Sequence, residues 1–121
     1  MRVLVVEDQH IQAEALTMLL TLEGFEVAVA FDGKDALSQL DSVRPDVIIT
    51  DCMMPVMSGG EMAKLVRAST EYATVPIVMT SATDSRALAH HREHCDAFLR
   101  KPYLWDDLLV VIKRLLSPSI K

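Results

Sequence analysis

A chain of 121 residues, 50% hydrophobic and 24% charged, with 4 Gly and 5 Pro, has room for one domain with a substantial core. Disorder and a disulfide-stapled miniprotein are excluded, and no apolar run approaches the roughly 20 residues of a membrane helix. The net charge of −5, with no basic stripe, argues against direct nucleic-acid binding. The N-terminal apolar run stops at Glu7-Asp8, unlike a signal peptide, and Cys52 and Cys95 read as reduced thiols. The expectation is a single cytoplasmic domain over residues 1–121, with no membrane contact.

In chain order, strands are predicted at residues 3–6, 27–30, 47–50, 77–80 and 97–99. The first four are nearly continuous apolar runs, as expected of parallel strands covered on both faces. After the first strand, Ile11, Ala15, Met18, Leu19 and Leu22 form a stripe of helical period, and Gly24 suits the helix's left-handed end. A second helix is predicted over about residues 33–42, capped by Asp32, and a third over about 60–68. A fourth, about 84–94, has little to bury and a polar face crowded with His90, His91 and His94. The last spans about 104–116, with Leu104, Leu108, Val111, Ile112 and Leu115 on one face. Alternating strands and helices joined by right-handed crossovers give an open, doubly wound α/β sheet.

Such sheets place their ligand site at the carboxyl ends of the strands. Glu7-Asp8, Asp51, Thr80-Ser81 and Lys101-Pro102 lie at four of those ends. Three carboxylates close together need a counter-charge, and a hard divalent cation such as Mg²⁺ supplies one while leaving room for a phosphoryl oxygen. A lysine and a hydroxyl opposite could hold the remaining phosphoryl oxygens, and Asp51 reads as a carboxylate nucleophile. A phosphohydrolase of the Asp-x-Asp type is set aside because position 53 is Met. The spacing of His90 with His94, and of His91 with Cys95, falls short of a metal site's ligand count. Cys52 reads as a loop thiol whose pKa the neighbouring carboxylates raise. Met53, Met54 and Met57 read as a cover over the start of the third helix, exposed to oxidation.

Taken together, the segments Val3-Leu4-Val5-Val6-Glu7-Asp8, Asp51-Cys52-Met53-Met54-Pro55-Val56-Met57-Ser58-Gly59, Pro76-Ile77-Val78-Met79-Thr80-Ser81-Ala82 and Lys101-Pro102 resemble the receiver domain of two-component response regulators. Asp8 and Asp51 are 43 residues apart and Asp51 and Ser81 are 30 apart, similar to the family's spacing. The resemblance implies a flavodoxin-like (βα)₅ fold with strand order 2-1-3-4-5. It implies that Asp51 is the phosphoacceptor, taking its phosphoryl group from a phosphohistidine of a sensor histidine kinase or phosphotransfer protein. Asp8 and Asp51 resemble Mg²⁺ ligands together with the backbone carbonyl of Met53, with Glu7 acting mainly through water. Ser81, rather than Thr80, resembles the switch hydroxyl, Phe98 the switch aromatic, and Lys101 the phosphate-contacting lysine. A cis Lys101-Pro102 bond is permitted.

The implied output is altered affinity for a downstream effector protein or domain at the face of the fourth helix, fifth strand and last helix. A phosphorylation-dependent dimer is compatible with it. The domain would phosphorylate and dephosphorylate itself without being a turnover enzyme. The alternative is a phosphorylation-independent docking module. Departures from the pattern are a stretch of 20 residues from Ser81 to Lys101, about two short, with His94 in place of Gly and Ser58 in place of Asp. If His94 had to be left-handed, it would cost roughly 1 kcal/mol relative to Gly.

Overall fold

Short runs of Val, Ile and Leu have nowhere to go but an interior, and here they form the centre of a parallel sheet. The computed structural model describes residues 1–82 and 93–117. The strands are β1 (Arg2–Val6), β2 (Glu26–Ala30), β3 (Val47–Asp51), β4 (Ile77–Ser81) and β5 (Ala97–Arg100). The helices are α1 (His10–Leu22), α2 (Gly33–Val43), α3 (Gly59–Ala68) and α4 (Trp105–Leu116). The sheet order is β2-β1-β3-β4-β5 with every pair parallel, which is the flavodoxin-like order. The predicted fourth helix over 84–94 falls almost wholly outside the described residues, and with it His90 and His91.

Strand alternation divides the interior in two. Leu4, Val6, Ile48, Ile77 and Met79 face Ala36 and Leu40 of α2 and Met62, Ala63 and Val66 of α3. Val3, Val5, Val47, Ile49 and Val78 face Leu20 of α1 and Leu108 and Ile112 of α4. Each such Val, Leu, Ile or Met side chain contributes roughly 1.5–3 kcal/mol by leaving water. β1, β3 and β4 are covered on both faces, but β2, at the sheet edge, is only half buried. The expectation of four fully covered strands is therefore corrected to three.

A second correction concerns α1. The stripe Ile11, Ala15, Met18, Leu19, Leu22 faces outward, with Ile11 82% and Leu22 80% exposed. The helix docks instead through Ala13, Leu16 and Leu20. Both sets have helical period, and the inner one contains a small residue that lets the helix approach the sheet. In α4 the predicted face holds at Leu108 and Ile112, whereas Leu104 is the residue before the first turn and stands 70% exposed.

Chain reversals follow local chemistry. Gly24 takes φ +94° after α1, and the Asp32 carboxylate accepts from the Asp35 N–H to cap α2. Ser58 and Glu61 form a reciprocal capping box at the start of α3. The left-handed non-glycine residues among those described are Arg44 and Val56, so His94 carries no such strain. Arg67, at the end of α3, donates to the Asp96 carboxylate at 2.6 Å and to the Val75 carbonyl at 2.7 Å, fastening the start of β5 to the α3–β4 connection.

Two substitutions in the segment between β3 and α3 should move stability in opposite directions. Val56 is β-branched at φ +71°, so Val56→Asn should stabilise the fold by about 1 kcal/mol. A Cβ on Gly59 would land on the Asp51 carbonyl oxygen, a backbone atom that cannot step aside, so Gly59→Ala should cost roughly 1–3 kcal/mol. Urea midpoints of the two variants against the parent protein measure both.

Candidate functional site

Parallel register brings the polar strand ends level with one another. Val6 pairs with Ala30 and Thr50, Asp51 with Thr80, and Ser81 with Arg100, so Glu7, Asp51, Ser81 and Lys101 emerge along one edge. Backbone bonds extend the ladder into these ends: Glu7 N–H to the Ala30 carbonyl (2.9 Å), Cys52 N–H to Thr80 (2.8 Å) and Lys101 N–H to Ser81 (2.8 Å). The side chains are thus held by sheet rather than by loop.

Glu7, Asp8 and Asp51 each present a carboxylate oxygen within 4.8 Å of the others, a group among the described residues with the geometry to hold a metal ion. Glu7 is buried, and Asp8 and Asp51 are partly so. One Asp51 oxygen accepts from the Cys52 N–H at 2.9 Å. Glu7 accepts from the Gln9 N–H at 3.2 Å, which fixes the turn into α1. Opposite them stands the Lys101 ammonium, 3.2 Å from Glu7, 3.6 Å from Asp51 and 2.9 Å from the amide oxygen of Gln12. An all-oxygen, clustered, incompletely neutralised donor set suits a hard divalent cation.

The remaining predicted residues surround this pocket. Ser81 and Thr80 are both buried at the end of β4. By strand alternation Ser81 shares a face with Met79, and Phe98, opposite Met79, packs against that same core. Met53 lies 56% exposed in the segment after β3, while Met54 and Met57 pack against the core beside it. The Lys101-Pro102 bond is cis. Cys52 is a buried thiol, with burial and then Asp51 pushing its pKa up to about 11, which suits an inert residue better than a reactive one. Gln12 and Tyr103 were not foreseen. Gln12 lies in the first turn of α1, four residues after Asp8, and that spacing was the signal available for it.

The response regulator receiver domain family model matches residues 3–113. The chain belongs to the receiver domain family of two-component response regulators. Among curated relatives, the sensory transduction protein RegX3 of Mycobacterium tuberculosis is 36% identical over 116 residues, 94% of this chain and 50% of that protein. The DNA-binding response regulator MtrA of Mycobacterium leprae is 37% identical over 93% of this chain and 49% of its own length. The chain thus spans about half the length of the curated relatives it matches. Among solved structures, a putative response regulator from Chloroflexus aurantiacus superposes with a TM-score of 0.88 at 32% identity, covering 95% of this chain and 96% of that one. The response regulator TrrA of Thermotoga maritima, solved in complex with Mg²⁺-BeF, gives 0.86 at 30% identity, covering 95% and 98%.

The receiver's acid pocket is electrostatically tense. Burial raises the pKa of Asp51 and of Glu7, against the lowering pull of Lys101 and of backbone N–H donors. For Lys101, burial alone would lower the value, but the carboxylates of Asp51 and Glu7 outweigh it and the net shift is upward. Burial likewise raises Tyr103, beside Lys101.

The sign of the resulting pH dependence follows. A carboxylate with a raised folded pKa holds its proton longer in the folded state than in the unfolded chain. Its stabilising contribution is present in acid and is lost as pH rises through the folded value. At neutral pH, metal-free, Asp51→Asn should therefore be more stable than the parent by on the order of 1 kcal/mol, with the gap closing toward pH 4. Chemical denaturation in chelator across that range measures it.

Proposed function

We propose that this receiver domain, spanning residues 1–121, is a phosphorylation-dependent switch whose phosphoacceptor is Asp51. The observation that carries the reading is the convergence of Glu7, Asp8 and Asp51 within 4.8 Å, with the Lys101 ammonium 3.6 Å from Asp51. The donor is a phosphohistidine of a sensor histidine kinase or phosphotransfer protein. A carboxylate oxygen of Asp51 bonds to phosphorus as the P–N bond breaks, and the imidazole keeps the electron pair and takes up a proton. The product is an aspartyl phosphate, a mixed anhydride that hydrolyses back to the carboxylate.

Each residue then has a physical task. The Cys52 N–H, bonded to one Asp51 oxygen, orients the carboxylate so that the other oxygen is the one free to attack. Lys101 supplies a cation for the phosphoryl oxygens, and Ser81 a hydroxyl at the adjoining strand end. Glu7, Asp8, Asp51 and the Met53 carbonyl would hold Mg²⁺, whose chemistry when bound is to neutralise charge shared by the carboxylates and the phosphoryl group. Movement of Ser81 toward a phosphoryl group would empty space on the face it shares with Phe98, so the two act as a relay to the surface of β5 and α4. That surface changes affinity for an effector protein or domain by population shift. A donor protein must bring its phosphorus to Asp51, and the exposed Ile11, Ala15 and Met18 on α1, along the rim, offer its helices an apolar seat. The module acts as a signalling switch in the cytoplasm rather than as a turnover enzyme.

Incubation with acetyl phosphate and Mg²⁺ should add the mass of one phosphoryl group to the intact protein, and Asp51→Asn or chelator should abolish the addition. An adduct that survives Asp51→Asn would move the acceptor elsewhere. No adduct, together with no Mg²⁺ binding by calorimetry, would leave a phosphorylation-independent docking module.

A further inference from the structure

The Lys101 ammonium chooses its partners in an order that charge alone does not explain. It has three N–H donors and no acceptor, so any amide bonded to it must present its oxygen. Its shortest contact, 2.9 Å, is to the neutral Gln12. The Glu7 carboxylate is at 3.2 Å, and the Asp51 carboxylate, a full negative charge, is farthest at 3.6 Å, beyond hydrogen-bond reach. Attraction between ions would draw the ammonium onto the two carboxylates. The neutral acceptor on α1 is nonetheless the nearest of the three.

The Lys101 stem borders a cavity of about 490 Å³ between α1 and the start of α4, lined also by Leu16, Ala82, Tyr103 and Trp105. Gln12 sits on the wall of that same cavity. Gln12 is itself exposed and makes no core contact, so its value to the fold is small.

We propose that Gln12 is a positioning residue for phosphoryl transfer, acting through Lys101, an inference that rests on Asp51 being the acceptor. In the resting domain it keeps the ammonium beside the pocket but out of direct contact with the nucleophile. Without it, the ammonium closes the 3.6 Å gap onto the Asp51 oxygen that the Cys52 N–H already holds, draws electron density from the carboxylate and leaves the place from which it would meet phosphoryl oxygens. An amide does this without adding a fourth negative charge to a pocket that already holds three.

The test uses the whole chain with Gln12→Met, which keeps length but loses the acceptor, and Gln12→Glu, which keeps an oxygen at the same reach. With acetyl phosphate as donor, releasing acetate, and both donor and Mg²⁺ saturating, Gln12→Met should slow formation of the phosphorylated mass roughly three- to tenfold. Gln12→Glu should stay within about twofold of the parent. The thermal midpoint of Gln12→Met should match that of the parent. In chelator and without donor, the ¹⁵N ammonium resonance of Lys101, assigned through Lys101→Arg, should move in Gln12→Met and move less in Gln12→Glu. An unmoved resonance, a parent-like rate for Gln12→Met, or a Gln12→Glu rate as slow as that of Gln12→Met each overturns the proposal. Should the parent protein take up no phosphoryl group, the phosphoacceptor reading fails, and the resonance still decides whether Gln12 holds Lys101.

Discussion

Three carboxylates confined within 4.8 Å repel one another, and a chain free to relax would separate them. They stay together because Glu7 and Asp51 continue the adjacent strands β1 and β3, whose register is fixed by interior side chains at Val3, Val5, Ile48 and Ile49. A one-residue slip would turn every one of those side chains to the wrong face. The apolar energy of the sheet is thus what sustains the electrostatic tension at its edge. Lys101 relieves part of that tension from almost the other end of the chain, through a strand whose register with β4 is equally fixed.

The connections nearest the acid pocket are constrained in a different way. The segment from Cys52 to Ser58 must leave β3, pass the pocket and deliver α3 close beneath it. Gly59 lies so near the Asp51 carbonyl that no side chain fits, and its N–H returns to the Cys52 carbonyl at 2.8 Å. Val56 accepts a left-handed backbone to make the turn, although β-branched residues resist it. The Ser58–Glu61 capping box then satisfies the free donors of the first helical turn. With Ser58 serving as the cap, the Asp51 carboxylate is left for the pocket.

Legibility in the sequence followed burial. β1, β3 and β4 are written as nearly continuous apolar runs, so their positions were plain, yet β3, β4 and β5 each extend one residue past the predicted end. Those added residues, Asp51, Ser81 and Arg100, are polar and carry no apolar signal. The face of α1 was misread because the helix is apolar on two sides. Its larger residues, Ile11, Met18 and Leu22, face outward while Ala13 meets the sheet. Periodicity finds a stripe but does not say which of two stripes is inside. The acid pocket was legible because topology brings the ends of successive strands together and the residue types there had one shared chemistry. The Lys101–Gln12 contact was not, since it depends on where a flexible side chain comes to rest.

That dependence bears on how a receiver domain is tuned. Carboxylates, hydroxyl and lysine are set by the strand ends, and altering a carboxylate or the lysine alters the charge of the site itself. Position 12 lies on a helix packed beside the sheet, close enough to reach the ammonium but outside the acid cluster. A neutral acceptor there meets the cation without changing the charge balance of the acid cluster. An acidic residue would add to the repulsion already carried by the site, and an aliphatic one would give the ammonium up to the carboxylates. The amide is the choice that adjusts geometry while leaving the electrostatics of Glu7, Asp8 and Asp51 as the sheet has arranged them.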